Sequence, residues 1–457
     1  MQSIEHLPAT ASAKIELVGP ASSPPGGRCE RASRVFATVG LQLERVRAAQ
    51  ARGTRVRPKE NTAIEFSTFP HAKCTLTASD PNTASVAHRI EGLDLYADAE
   101  GNLRFFASNL AESGASRFYL ACTGPQPGRT VYTLQLRAAR EATPEMPFAP
   151  RPQERKSTMK KGPLPLSSTD ADKLSAAELQ RIGIPPRPDR IKDPQAYEHW
   201  KKIVTTGGTS IVPDLVTVPE HHQSHAESLS TWSGWAYVDV NRPNPFREVY
   251  GEWVVPTTYP PGSGCPPVTD SAFWVGLDGY VPNIGELVQA GTVQNRIDFG
   301  GTFGIGGFSF TDYHAWVQWF PEPAKRIVNI PVSPGDTMDV DIWVDTATTP
   351  QSAYAFVYDN GLGGVVQFSQ GSIPYVGNSA EAIMERPSNA GPDALARFGI
   401  ATMKFAKVLT DGEYRSIADL TDDKSIDIDM VDGSSALSYS SLPFNNGQFL
   451  LIFLGCV

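Results

Sequence analysis

Met338-Asp339-Val340-Asp341-Ile342-Trp343-Val344 is the stretch on which the fold turns. In an extended chain, successive side chains point to opposite faces. Met338, Val340, Ile342 and Val344 therefore share one face, and Asp339, Asp341 and Trp343 share the other. This alternation predicts a half-buried strand. The text around it has the same character from Ala226 to Val457, where Trp, Gly, Tyr and alternating runs dominate. Asn446-Gly447 is a turn signal before a last apolar run, Phe449 to Leu454, which reads as a buried final strand. Many strands with little helical periodicity predict a large all-antiparallel sandwich or barrel.

Composition agrees with a turn-rich chain. Of 457 residues, 39 are Gly and 38 are Pro, while 40% are hydrophobic, enough for one or two cores. No run approaches the length of a membrane-spanning helix, so no membrane association is expected. Met1 to Pro20 lacks the basic start and apolar stretch of a secretory signal peptide. The charge is uneven. Met1 to His225 carries 29 basic and 23 acidic residues, a balance of +6, and Ala226 to Val457 carries 11 and 26, a balance of −15. Nucleic acid is not an expected partner of the acidic half, because phosphate binding needs clustered Lys and Arg. Opposite signs also predict attraction between the halves near neutral pH.

Before Ala226 the chain divides further. Residues 1–30 read as a flexible lead. Residues 31–140 contain short strand-like runs, including Phe105 to Leu110, Arg117 to Cys122 and Thr130 to Leu136, and predict a small β-sandwich of unassigned role. Cys74 and Cys122 lie in such text, either as one disulfide or as free buried thiols. Residues 141–228 are Pro-rich and basic, an exposed linker with two short helices expected, over Lys173 to Ile182 behind a Ser168-Thr169-Asp170 cap and over Gln195 to Ile203. His221 and His225 could meet on a helix face and bind a metal, or belong to a solvated linker. The linker is the reading adopted, and no metal or other cofactor is expected.

The familiar hydrolase signatures HExxH, GxSxG and the aspartic-protease triplets are missing. Instead, polar residues stand inside apolar strand text. Tyr313 to Pro321 places Trp316 and Gln318 on one face and Tyr313, Val317 and Trp319 on the other. Ala380 to Glu385 places Glu381, Ile383 and Glu385 together. A carboxyl in such company is expected to be partly buried, with a raised pKa; the alternative is a solvated edge strand.

In this order, the segments resemble the eqolisin family of glutamic endopeptidases over Leu229 to Val457. The motifs are Trp232-Ser233-Gly234, Glu252 to Pro256, Trp274-Val275-Gly276-Leu277-Asp278-Gly279, Val288-Gln289-Ala290-Gly291, Tyr313 to Pro321, Gly335-Asp336 and Ala380 to Glu385. The resemblance implies a lectin-like sandwich of two antiparallel sheets and an acid-acting, metal-independent endopeptidase acting on proteins or peptides. It also implies secretion and synthesis as a precursor with a basic prosegment, for which Lys156 to Lys202 is the candidate inhibitory part. The chain is expected to be a monomer.

The catalytic Gln and Glu of the family fall on Gln289 and Glu385. Trp274, Asp278, Trp316, Gln318 and Phe320 match cleft positions where substrate would bind. Departures from the pattern are His314 and Gln318, where the family often has Asp and Glu, and Arg386 after the catalytic Glu. Gln318 and Arg386 are expected to favour ionised Glu385 at low pH. The competing reading is a lectin-like sandwich whose Trp-rich cleft binds sugar or peptide without catalysis.

Overall fold

A computed structural model describes residues 12–18, 62–78, 92–109, 115–124 and 129–139. From 172 to 457 it describes all but short stretches, the longest being 219–230, 300–307 and 388–393. The lead at 1–11 and 19–30, the Ser168-Thr169-Asp170 cap, and His221 and His225 lie outside the described residues. Two compact units organise the chain: Met1–Arg155 with Arg296–Asp312, and Lys156–Asn295 with Tyr313–Val457. The first therefore draws on a segment that the sequence reading assigns to 229–457. Strand periodicity carries no signal for which core the far end of a strand joins.

The first unit is a small β-sandwich. One antiparallel sheet runs Ser12–Val18, Arg129–Ala139, Ala115–Thr123, Lys73–Thr77, Gly92–Tyr96. In the other layer, Asn102–Asn109 pairs with Thr62–Ser67 and with Phe308 to Thr311. Aromatic rings fill the space between, with Phe118 at 5.6 Å from Phe308 and 4.7 Å from Phe310. Cys74 and Cys122 are register partners on adjacent strands and form a disulfide.

The second unit stacks two antiparallel sheets. In the first, Lys325–Pro331, Phe308–Phe320, Leu287–Phe299, Val268–Leu277, Ser379–Glu385, Trp232–Val238 and Ser425–Ile428 are neighbours in that order, with Leu215–Thr217 outside Lys325–Pro331. In the second, the order is Met430–Asp432, Ser435–Ser440, Phe449–Phe453, Ile400–Thr410, Glu248–Val254, Thr337–Asp345, Ser352–Asp359, Leu362–Ser369, and then Thr209–Ser210 in parallel. Strand alternation sets the interface. Trp253 packs against Phe273 at 5.5 Å, and its indole donates to Thr292 Oγ1 at 3.3 Å. A second disulfide, Cys265–Cys456, closes a loop across 191 residues.

The opening stretch lies within Thr337–Asp345, but both its faces are buried, including Asp339, Asp341 and Trp343. The half-buried strand expected from alternation is thus corrected. A helical pair covers part of its outer face. Ala176–Arg181 starts behind Ser175, which forms a capping box: Ser175 N–H donates to Glu178 Oε2 at 2.8 Å and Glu178 N–H to Ser175 Oγ at 3.3 Å. Pro194–Thr205 starts with proline, whose missing N–H costs nothing at a first helical position. Leu179, Ile184, Tyr197, Trp200 and Val204 pack with Trp343 and Phe356, and the Trp200 indole donates to Pro185 O at 2.9 Å.

This part of 141–228 is therefore a packed layer of the second unit rather than exposed linker. Trp200→Ala should destabilise that unit by about 3–5 kcal/mol, the usual cost of deleting a buried large aromatic. Denaturant unfolding monitored on the second unit measures it, and a midpoint unchanged from wild type would show that the helices contribute nothing to its stability.

Candidate active site

The first sheet of the second unit is buried on both faces. Phe273 and Val275 face the other sheet, so Ala272, Trp274 and Gly276 face outward, level with Glu385, Ile383 and Glu381 of the neighbouring strand. On the other side of Val268–Leu277, alternation puts Leu287, Gln289, Gly291 and Val293 on this same outward face. Phe308–Phe320 adds Trp316 and Gln318. Trp232, Trp274, Leu287, Val293, Trp316 and Ile383 form one cluster there, with Phe320 packed on its margin.

Glycines let these strands approach. A Cβ on Gly291 would lie 2.3 Å from Phe273 O and 2.5 Å from Trp274 Cβ, so any side chain would push the Gln289 strand away. Gly234 has φ +147°, and a Cβ there would meet Ala382 O at 2.1 Å.

Glu385 is fully buried. Trp274 Nε1–H donates to its Oε2 at 2.8 Å, while Oε1 has no hydrogen-bond partner among the described residues. Burial pushes its pKa from the ordinary 4.5 up to about 7, against the opposing pull of the Trp274 N–H. The Trp232 indole pulls the same way as Trp274 without reaching hydrogen-bond geometry. Arg386 points elsewhere. Its guanidinium pairs with Asp432 at 2.9 Å and is not among the groups that shift Glu385. The expected help from Arg386 in ionising Glu385 at low pH is therefore corrected: desolvation dominates and works in the opposite direction.

Gln289 is equally buried, and its Nε2 donates to Gln318 Oε1 at 2.9 Å. Gln318 Nε2 in turn donates to Glu322 O at 2.9 Å, so this chain of amides fixes the orientation of Gln289. Glu381 lies on the same face, and burial holds its pKa well above the usual carboxylate range.

Of the residues named from the sequence, Trp274 thus contacts Glu385, Gln318 contacts Gln289, and Trp316 and Phe320 pack in the apolar cluster with Trp274. Asp278 does not share their surroundings. Its carboxylate accepts the backbone N–H groups of Gly377 and Asn378 at 2.7 Å each and of Val376 at 3.2 Å. Sequence reasoning missed Glu286, which accepts the Trp319 indole N–H at 3.1 Å and the Val376 N–H at 2.7 Å. The available signal was a carboxylate directly before the apolar run that carries Gln289.

A buried carboxyl with a pKa near neutrality and a fixed amide donor on one face form an arrangement suited to moving a proton and stabilising a developing negative charge. Residues 230–448 match the family model described as Peptidase A4 family. Among solved structures, the crystal structure of scytalido-glutamic peptidase with a transition state analog inhibitor is similar at 21% identity, covering 49% of this chain and 98% of that one, with a TM-score of 0.37. No curated protein matches. The family match spans the strands that carry Gln289 and Glu385, so over residues 230–448 this chain is similar to the Peptidase A4 family, the eqolisin glutamic endopeptidases.

Proposed function

We propose that Glu385 and Gln289 are the catalytic pair of this peptidase. The observation that carries the reading is the Glu385 carboxyl, buried, anchored through Oε2 by Trp274 and titrating near neutrality on the face it shares with Gln289. In this reading, ionised Glu385 takes a proton through Oε1 from a water attacking the scissile carbonyl. The proton then passes to the leaving amine. Gln289 Nε2 donates to the carbonyl oxygen as negative charge builds on it, and as an amide it does so at any working pH. Trp274 is the positioning residue for Glu385, and Gln318 for Gln289. The step needs no metal, cofactor or covalent intermediate. Trp316 and Phe320 supply apolar surface for an extended peptide.

Gln289→Ala should lower kcat by about 10²–10³-fold, the loss typical of one oxyanion donor, with KM little changed. Steady-state hydrolysis of a peptide tests this, and a folded variant with wild-type kcat would remove Gln289 from the mechanism.

The pH sign follows from the base. Glu385 must be ionised, so kcat/KM rises with pH through its pKa, which is about 7 in the enclosed site and moves toward 4.5 as water enters. The acid-side limb of kcat/KM belongs in that window. Two disulfides suit an oxidising compartment, in keeping with secretion. Residues 141–228 serve as the prosegment in this reading. A cut after the helical pair would leave the helices attached through their apolar cluster rather than release them outright.

A further inference from the structure

We propose that Asp278 and Glu286 form a one-proton latch that holds the Tyr375–Asn378 segment in place, and with it the register between the Glu385 strand and the Gln289 strand. They act as positioning residues for the peptide hydrolysis proposed above. The inference rests on that reading for its catalytic consequence alone.

The latch stands where the two catalytic strands begin. Glu286 directly precedes Leu287–Phe299 and lies three residues before Gln289. Asn378 directly precedes Ser379–Glu385. The Val376 N–H is shared between Glu286 Oε1 at 2.7 Å and Asp278 Oδ2 at 3.2 Å, which brings the two carboxyls side by side. Asp278 also accepts the Gly377 and Asn378 N–H groups, and its own N–H donates to Ser379 O at 2.9 Å. Its left-handed backbone, φ 68°, aims the carboxylate into this nest of donors. Glu286 Oε2 is turned to the Trp319 indole, one residue beyond Gln318.

Both side chains are buried and converge on the same Val376 N–H, where charge on one carboxyl disfavours charge on the other. Burial raises the pKa of Asp278 against the pull of its three backbone donors, and burial with the neighbouring Asp278 pushes Glu286 up to about 8, so the pair holds one proton between them. Among the described residues, the other groups facing the pair do not neutralise a second charge. Tyr375 donates its hydroxyl to Phe246 O at 2.8 Å, Glu381 is a buried acid that disfavours charge on Asp278's side, and Gln370 and Trp319 are neutral. Arg247, on the element that receives the Tyr375 hydroxyl, is exposed and acts on Tyr375. Loss of the shared proton therefore sets two carboxylates against each other, and the segment that both of them hold must move.

The test uses the full chain and two readouts, over about pH 4 to pH 9. One is kcat/KM on a peptide, and the other is hydrogen exchange at the 376–378 amides followed by mass spectrometry. Wild type should lose activity on the alkaline side. In the same window its 376–378 amides should lose protection beyond the intrinsic rise of exchange with pH. In Glu286→Gln, which donates to Asp278 without titrating, both transitions should move up by about one pH unit or more, with the acid-side limb in place. Asp278→Asn, which also removes the second charge, should shift the exchange transition the same way. Unshifted transitions in a folded Glu286→Gln, or wild-type amides protected throughout, would overturn the latch. A chain with no peptidase activity at any pH would overturn the catalytic reading instead, and the exchange data would still decide the latch.

Discussion

Glu385→Gln should lower kcat/KM by about 10²–10⁴-fold, the span over which a positioned acid or base contributes to rate. The amide keeps the shape and can still accept the Trp274 N–H through its oxygen, but it cannot take a proton from water. The same substitution should stabilise the protein above neutrality. Glu385 has its folded-state pKa raised from 4.5 to about 7, so its neutral form suits the fold and that advantage disappears as pH rises through 7. A shift of about 2.5 units corresponds to roughly 3 kcal/mol of cost once the carboxylate forms. Gln carries no such cost. Loss of activity with stability retained at pH 5 and increased at pH 9 would separate a catalytic base from a residue needed only for folding. A folded variant with wild-type turnover would contradict the assignment.

The second large effect is on stability against pH. Glu248 accepts the Tyr414 hydroxyl, and burial pushes its pKa from 4.5 up to about 8. Asp341 stands on the same outer face of the second sheet, where burial, followed by the Glu248 charge, raises its pKa well above the usual range; burial and Glu252 do the same to Asp339. Glu286 and Glu381 are raised as well. A carboxyl raised on folding contributes stability below its unfolded pKa and loses it as pH climbs through the folded one. Ionising Glu248 in its buried place therefore works against the folded state.

The second unit should therefore be most stable in mild acid and lose stability as pH climbs toward about 8. A counter-effect operates in stronger acid. Asp239 is depressed by its bonds to Lys424 and Arg242, and its contribution is lost only as pH falls below the ordinary 3.8. Calorimetric Tm across this range is the measurement. A Tm that is flat or rising from pH 5 to pH 9 would mean that the buried acids have found compensation in solution.

Much of the site was legible because strands write their faces into the sequence. Period-two spacing alone puts Trp316 with Gln318 and Glu381 with Glu385, and the order of the motifs links segments that are distant along the chain. Cys74 and Cys122 were legible only as possible partners, since pairing needs the register between strands. What the sequence hides is coverage. Asp339 and Asp341 read as a solvated face, because no local pattern announces that further residues, the helical pair among them, will bury it. Arg386 sits beside Glu385 in sequence, but adjacent strand residues point to opposite faces, and it reaches Asp432 instead. Asp278 reads as a cleft residue until the Tyr375–Asn378 backbone arrives with its three donors.

The central claim is that this chain hydrolyses internal peptide bonds through Glu385 without a metal. The most direct test incubates the intact protein and its Glu385→Gln variant with a denatured protein at about pH 4 to pH 8 in the presence of chelator, then sequences the termini of substrate and enzyme. The account predicts internal cleavage by wild type that survives chelator, with or without trimming of its own N-terminal region, and none by the variant. Equal cleavage by both proteins, cleavage abolished by chelator, or none by wild type at any pH would contradict it.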